Sequence, residues 1–257
     1  TTPTNLETAE NDHVTLRDLA VRDVDSTGVR LATWVWNPAS GPAGWRGGSD
    51  HLLENVVVER ANHFGVDSYA RASQLVGVEV RDVGLLAHAG ASGIGCGYGP
   101  NDWDCTEAGA GVRLKRDQDG WSSTGVTVER LRVENVGMNG VDVFGDTVTI
   151  ADSVIRASCL SKSDCGAIRT FGRDSLATSP VHDVLVRDTL LLDVQATVAG
   201  CHPSYRYPLG FGLYIGRVLR RQSPHALIEH EVETVPVLAA VQEPEVAEGR
   251  LRRRQHA

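Results

Sequence analysis

Apolar residues alternate with polar ones in short bursts along most of the chain. Val14 and Leu16, Leu19 and Val21, and Val29 and Leu31 each stand two apart with polar neighbours. That period places one face of a short strand inward. Asp18, Asp23 and the run Asp25-Ser26-Thr27-Gly28 separate the bursts, and these residue types form turns. The pattern then returns. Val14-Thr15-Leu16 through Val24 has the same apolar offsets as Val126-Thr127-Val128 through Val136, and Thr15–Val24 overlays Leu185–Val194. The tetrapeptide Gly28-Val29-Arg30-Leu31 recurs as Gly111-Val112-Arg113-Leu114. Looser copies start at Gly65, Gly140, Ala167 and Gly212.

Equivalent apolar residues fall at 21, 58, 80, 133, 155 and 191, with a shortest spacing of 22 residues. Three short strands and three turns in that length suit one coil of a parallel solenoid. Such a coil cannot bury its apolar face alone and must stack on neighbours. The fixed Leu/Asn pattern of a leucine-rich repeat is missing, and a propeller blade needs a longer period. The expected organisation is an irregular segment at 1–11, the repeat domain at 12–216, and a C-terminal cap or disordered tail at 217–257. Pro236 and Pro244 argue against one long helix in that last stretch.

The Gly-Val-x-Leu strands with their Val-x-Val units resemble the right-handed parallel β-helix superfamily of pectate lyases, polygalacturonases, alginate lyases and epimerases. The resemblance covers roughly residues 12–216. It implies an all-β fold, a single-stranded right-handed parallel β-helix of about six coils, with loop insertions flanking one sheet. It also implies a polysaccharide groove over one strand column. It is nearly silent on the reaction, because one fold hosts many chemistries.

The insertions point to the same column. Those at 84–110, 159–165 and 195–211 precede Gly-Val-x-Leu strands, and those at 32–49, 115–122 and 172–180 follow them. All five cysteines and all five tryptophans lie in these inserts, where function usually sits. Pairing of Cys96 with Cys105 and of Cys159 with Cys165 is expected, with Cys201 left over. Disulfides favour a secreted, cell-surface or periplasmic protein. A net charge of -8 gives no global attraction for nucleic acid. No apolar run approaches a membrane span, and a monomer is expected.

In Gly-Val-x-Leu the apolar residues point inward, so x points outward. Down the repeat, x reads Arg30, Asp67, Arg113, Asp142, Arg169 and Tyr214; the next outward position supplies Tyr69, Lys115 and Phe144. Stacked strands lie about 4.8 Å apart, so charges of alternating sign would adjoin. One reading is the floor of an acidic-polysaccharide site. Arginines would pair with uronate groups, while Arg30, Asp67, Tyr69, Phe144 and Tyr214 bind the sugar. Arg113, Lys115, Asp142 and Arg169 form the densest cluster and the expected catalytic centre of a uronate lyase. Asp67 and Asp142 are metal candidates for a Ca²⁺ that some lyases use. Another reading is a plain ion-pair ladder, with each cross-strand pair contributing roughly 0.2–1 kcal/mol. The remaining alternatives are a glycoside hydrolase and a non-catalytic carbohydrate-binding or adhesion solenoid. A hydrolase would use Asp67 and Asp142, about 9.6 Å apart across two rungs, but Arg113 between them disfavours a general acid. His63, His88 and His202 are further acid–base candidates. Asp102, Asp104, Asp117 and Asp119 read first as turn formers.

Overall fold

A computed structural model describes residues 11–37, 41–85, 108–115, 123–173, 181–201 and 207–218. Among these the chain is all-β, with parallel strands in curled sheets and no helix. The strands are β1 (Thr15–Val24), β2 (Thr27–Leu31), β3 (Thr33–Asn37), β4 (Gly41–Arg46), β5 (Leu52–Ala61) and β6 (Phe64–Ser68). Then come β7 (Gln74–Val76), β8 (Glu79–Val83), β9 (Val112–Leu114), β10 (Thr127–Glu129), β11 (Arg132–Val136) and β12 (Val141–Val143). The chain continues through β13 (Val148–Ala151), β14 (Val154–Arg156), β15 (Cys165–Arg173), β16 (Val184–Arg187), β17 (Leu190–Leu192) and β18 (Gly210–Val218).

The pairing registers reproduce the sequence repeat residue for residue. Val21 pairs with Val58, Val58 with Val80, Val80 with Val133, Val133 with Ile155 and Ile155 with Leu191. The Gly-Val-x-Leu strands form a second sheet in the order β18-β15-β12-β9-β6-β2. The inward residues of both sheets share one core, which includes Leu53, Leu75, Val128, Ile150, Val112 and Val141. The first insertion folds back as an antiparallel hairpin, β3 with β4, placing Trp34 opposite Trp45 along the backbone.

Two features differ from the short, separated strands read from the sequence. β1 and β5 run ten residues each and stay paired on both sides of Asp18 and Asn55. The reason lies in the backbone. Asp18 and Asn55 have φ of 53° and 52°, so each bends the strand in a single left-handed residue. Asx residues tolerate that region because a short polar side chain can bond locally. The bend recurs at the matching positions Gly77, Arg130, Asp152 and Asp188, and a second corner five residues on repeats it at Asp23, Arg60, Asp82, Asn135, Ala157 and Asp193, all with positive φ. Side chains link successive corners, as where Asn55 Nδ2 donates to Asp18 Oδ1 at 3.0 Å and Asn135 Nδ2 to Asp82 Oδ1 at 3.0 Å.

The motif glycine is required by close approach. A Cβ on Gly111 would stand 2.7 Å from the Gly140 carbonyl oxygen and 2.7 Å from a Val133 methyl. Gly28, Gly65 and Gly140 meet the same obstacle from a valine or isoleucine methyl and the next rung's carbonyl.

Cys159 and Cys165 form a disulfide, as their spacing suggested. Cys201 is disulfide-bonded as well, so the expectation that it is left over is corrected. Its partner lies outside the described residues, as do Cys96 and Cys105.

Candidate functional site

The x column is a physical row. Arg30 pairs in register with Asp67, Asp67 with Arg113, Arg113 with Asp142, Asp142 with Arg169 and Arg169 with Tyr214. The side chains then choose partners along it. Asp67 is held from both sides, by Arg30 Nε at 3.1 Å and by Arg113 Nε at 2.8 Å. Asp142 is gripped by the fork of Arg169, with Nε donating to Oδ1 at 2.9 Å and Nη2 to Oδ2 at 2.7 Å. Bidentate arginine–carboxylate pairs are among the stronger charge-assisted bonds. Asn139 completes this group: its Nδ2 donates to Asp142 Oδ2 at 3.1 Å, and its Oδ1 accepts from the Gly166 backbone N–H at 2.8 Å. In the sequence alone Asn139 reads as a turn former. The buried bridge was invisible because it depends on which strand lies next to it.

Much of the column is withdrawn from solvent. Asp67 is 1% exposed, Arg113 8%, Asp142 0% and Arg169 5%. Tyr69 and Phe144, expected to face sugar rings, are also buried, at 6% and 4%. Arg30 is exposed at one end and Tyr214 half-buried at the other, where its ring lies 4.7 Å from that of Phe211. The arginines rest on aromatic faces as well as on carboxylates. The Arg113 guanidinium lies 3.7 Å from the centre of the Phe64 ring. Phe144 carries the Lys115 ammonium at 4.0 Å and the Arg169 guanidinium at 5.7 Å. Desolvated cation–π contacts of this kind contribute up to about 2 kcal/mol.

Asp67 and Asp142 do not form a Ca²⁺ cage. Calcium takes six to eight oxygen ligands, whereas these carboxylates are separately engaged by guanidiniums, with Arg113 between them in register. Among the described residues no group of three or more His, Cys, Asp or Glu could hold a metal. Asp102, Asp104, Asp117 and Asp119 lie outside the described residues, as do His88 and His202.

His63 gains weight from the structure. It precedes β6 and is half-buried, its ring 4.2 Å from that of Phe64. Burial, then the positive charges of Arg113 and Arg30, push its pKa down to about 4; Asp67 opposes this and Lys162 adds to it. The imidazole is therefore neutral at ordinary pH, next to cations. The sequence carried the residue but no sign of that environment.

No helix long and apolar enough to cross a membrane occurs among the described residues. No protein-family model matches the chain, and no curated protein matches it.

Proposed function

We propose that the chain is an exported, monomeric right-handed parallel β-helix that engages an acidic polysaccharide over the Arg30–Tyr214 column and cleaves it by β-elimination. The winding is supported by strands that return in constant order and register, and by the strong right-handed preference of parallel crossover connections. Export is supported by the Cys159–Cys165 disulfide.

The observation that carries the reaction is the placement of His63, half-buried at the start of β6 with its ring 4.2 Å from that of Phe64 and within the field of Arg113 and Arg30. Elimination from a uronate needs a cation to neutralise the carboxylate and a neutral base to take the C5 proton. Arg30 is the accessible cation and His63 the base. As the C5–H bond breaks, its electron pair forms the C4=C5 double bond, and the C4–O bond releases its electrons to the leaving oxygen, which takes a proton from solvent. In this reading Arg113 sets the field around His63, Lys115 extends the cationic row, and Asp142 with Arg169 holds the column rigid.

A second reading, a non-catalytic carbohydrate-binding solenoid, is favoured by the ion pairing of Asp67 and Asp142 along the column. The hydrolase reading loses ground because Asp67 and Asp142 are buried and already bonded. The test is incubation with polygalacturonate, alginate and glycosaminoglycans, with and without Ca²⁺, following ultraviolet absorbance of the unsaturated product. The lyase reading expects a rise on one polymer that His63→Gln and Arg30→Ala abolish. Binding without product would move the assignment to the carbohydrate-binding reading. Absence of both binding and cleavage would overturn both readings.

A further inference from the structure

The loop between β14 and β15 turns back toward His63. It leaves the strands at Cys159, whose N–H donates to the Met138 carbonyl at 2.8 Å. Met138 N–H donates in turn to the Gly109 carbonyl at 3.0 Å, and Gly109 N–H to the His63 carbonyl at 2.6 Å. One backbone ladder thus joins the loop's start to His63. Two residues on, the loop has folded back along it. Ser161 N–H donates to the Gly137 carbonyl at 3.1 Å, and its hydroxyl reaches the Gly84 carbonyl at 2.9 Å. Gly84 packs against Gly109, the residue bonded to His63: a Cβ on Gly84 would stand 2.2 Å from the Gly109 Cα. The loop can lie this close because it crosses bare backbone. A Cβ on Gly137 would stand 2.3 Å from the Ser161 hydroxyl oxygen and 2.1 Å from the Gly84 carbonyl oxygen.

The loop is pinned in that position. The Cys159–Cys165 disulfide closes it at a separation of six residues. Residues 197–200 lie across it, with Thr197 N–H donating to the Lys162 carbonyl at 3.2 Å and Gly200 N–H to the Ser161 carbonyl at 2.8 Å. Leu209 N–H donates to the Ser163 hydroxyl oxygen at 2.6 Å, and that hydroxyl donates to the Tyr207 carbonyl. In the middle stands Lys162, only 2% exposed. Lysine is almost never buried so far, and burial confines a stem that is otherwise flexible. Its charge reaches His63, together with those of Arg30 on β2, Asp67 on β6 and Arg113 on β9.

We propose that Lys162 is a positioning residue of the His63 site: the disulfide loop fixes its ammonium where it keeps the imidazole in the neutral, proton-accepting form. A like charge nearby disfavours the protonated ring. Arg30 and Arg113 act in the same sense, but both are bonded to Asp67, which offsets them. Lys162 acts from the loop, so a site otherwise built on one strand column draws a group from an insertion. The catalytic consequence rests on the lyase reading, whereas the effect on the imidazole does not. In that reading a protonated His63 cannot take the C5 proton, so loss of the Lys162 charge removes activity at the acid end of the pH range.

The test is an NMR titration of the full chain labelled with carbon-13 histidine, with the His63 ring signal identified by its loss in His63→Gln. The wild-type midpoint is expected at about 4. Lys162→Met keeps the stem and removes the charge. It should raise the proton-binding constant of His63 at least about twofold, while Lys162→Arg, which keeps the charge, should stay near wild type. His182, exposed beside Asp146 and Asp183, is the internal control and should not move. If Lys162→Met does not fold, Lys162→Gln carries the same comparison. An unchanged His63 midpoint in a folded neutral variant, or equal shifts in the neutral variant and in Lys162→Arg, would overturn the proposal. Where a polymer yields unsaturated product, the acid limb of the pH–rate profile should move upward in Lys162→Met. No product on any polymer would count against the lyase reading alone, because the titration decides the role of Lys162 without substrate.

Discussion

Replacing Arg169 by Met isolates the buried half of the column. Asp142 is fully buried, and its carboxylate is bonded by Arg169 through two atoms and by Asn139 through one. Methionine fills much of the arginine's volume, so packing changes little, but the buried Asp142 carboxyl is left with Asn139 as its one remaining side-chain donor. Breaking a buried pair from one side costs about 3–5 kcal/mol, because the remaining charge is desolvated without compensation. For a chain of this size that corresponds to a fall in Tm on the order of 10 °C. The double variant Arg169→Met, Asp142→Leu removes both charges and should recover most of the loss, since an apolar replacement of a buried pair is often neutral. Urea unfolding of the wild type, both single variants and the double variant closes the thermodynamic cycle. A cost below about 1 kcal/mol for Arg169→Met, or a double variant no more stable than the single, would refute the claim that Asp142 depends on this arginine.

Three further outcomes follow from the backbone and from His63. Gly111→Ala should destabilise by about 1–3 kcal/mol in the same urea assay, because its Cβ would overlap the Gly140 carbonyl and a Val133 methyl, both at 2.7 Å. Thr147 is exposed, with φ of 54°, so Thr147→Asn should stabilise by about 1 kcal/mol, since a β-branched residue is strained there and Asn is not; a lower Tm would count against the backbone assignment. With a folded pKa near 4 and an ordinary value of 6.5, His63 binds fewer protons in the folded than in the unfolded chain. Its contribution is thus fully present above about pH 6.5 and fades as pH falls through the folded value. His63→Gln should flatten the rise in stability across that window, and an unchanged pH profile would place the imidazole in open solvent.

Much of the β architecture was legible in the amino-acid order. Repetition exposes register: once Val21, Val58, Val80, Val133, Ile155 and Leu191 are recognised as equivalent, their parallel pairing follows, because each strand must present the same face to one core. The outward row from Arg30 to Tyr214 was legible for the same reason, since inward and outward alternate strictly along a strand. The continuity of β1 through Asp18 was not, because a turn-forming residue does not announce whether its left-handed bend ends a strand or only redirects it.

Order along the chain thus specified which residues share a row, and so that Arg30, Asp67, Arg113, Asp142 and Arg169 would be neighbours of alternating sign. It did not specify that Asp67 would bond arginines on both sides while Asp142 took Arg169 and Asn139. Nor did it show that Tyr69 and Phe144 would be buried, that His63 would lie among cations, or that Cys201 would be bonded. Register is a property of a local pattern with period two, and it survives in one dimension. Burial, the partner an arginine selects and the field at an imidazole depend on distances between segments remote in sequence, and those exist only once the strands have stacked.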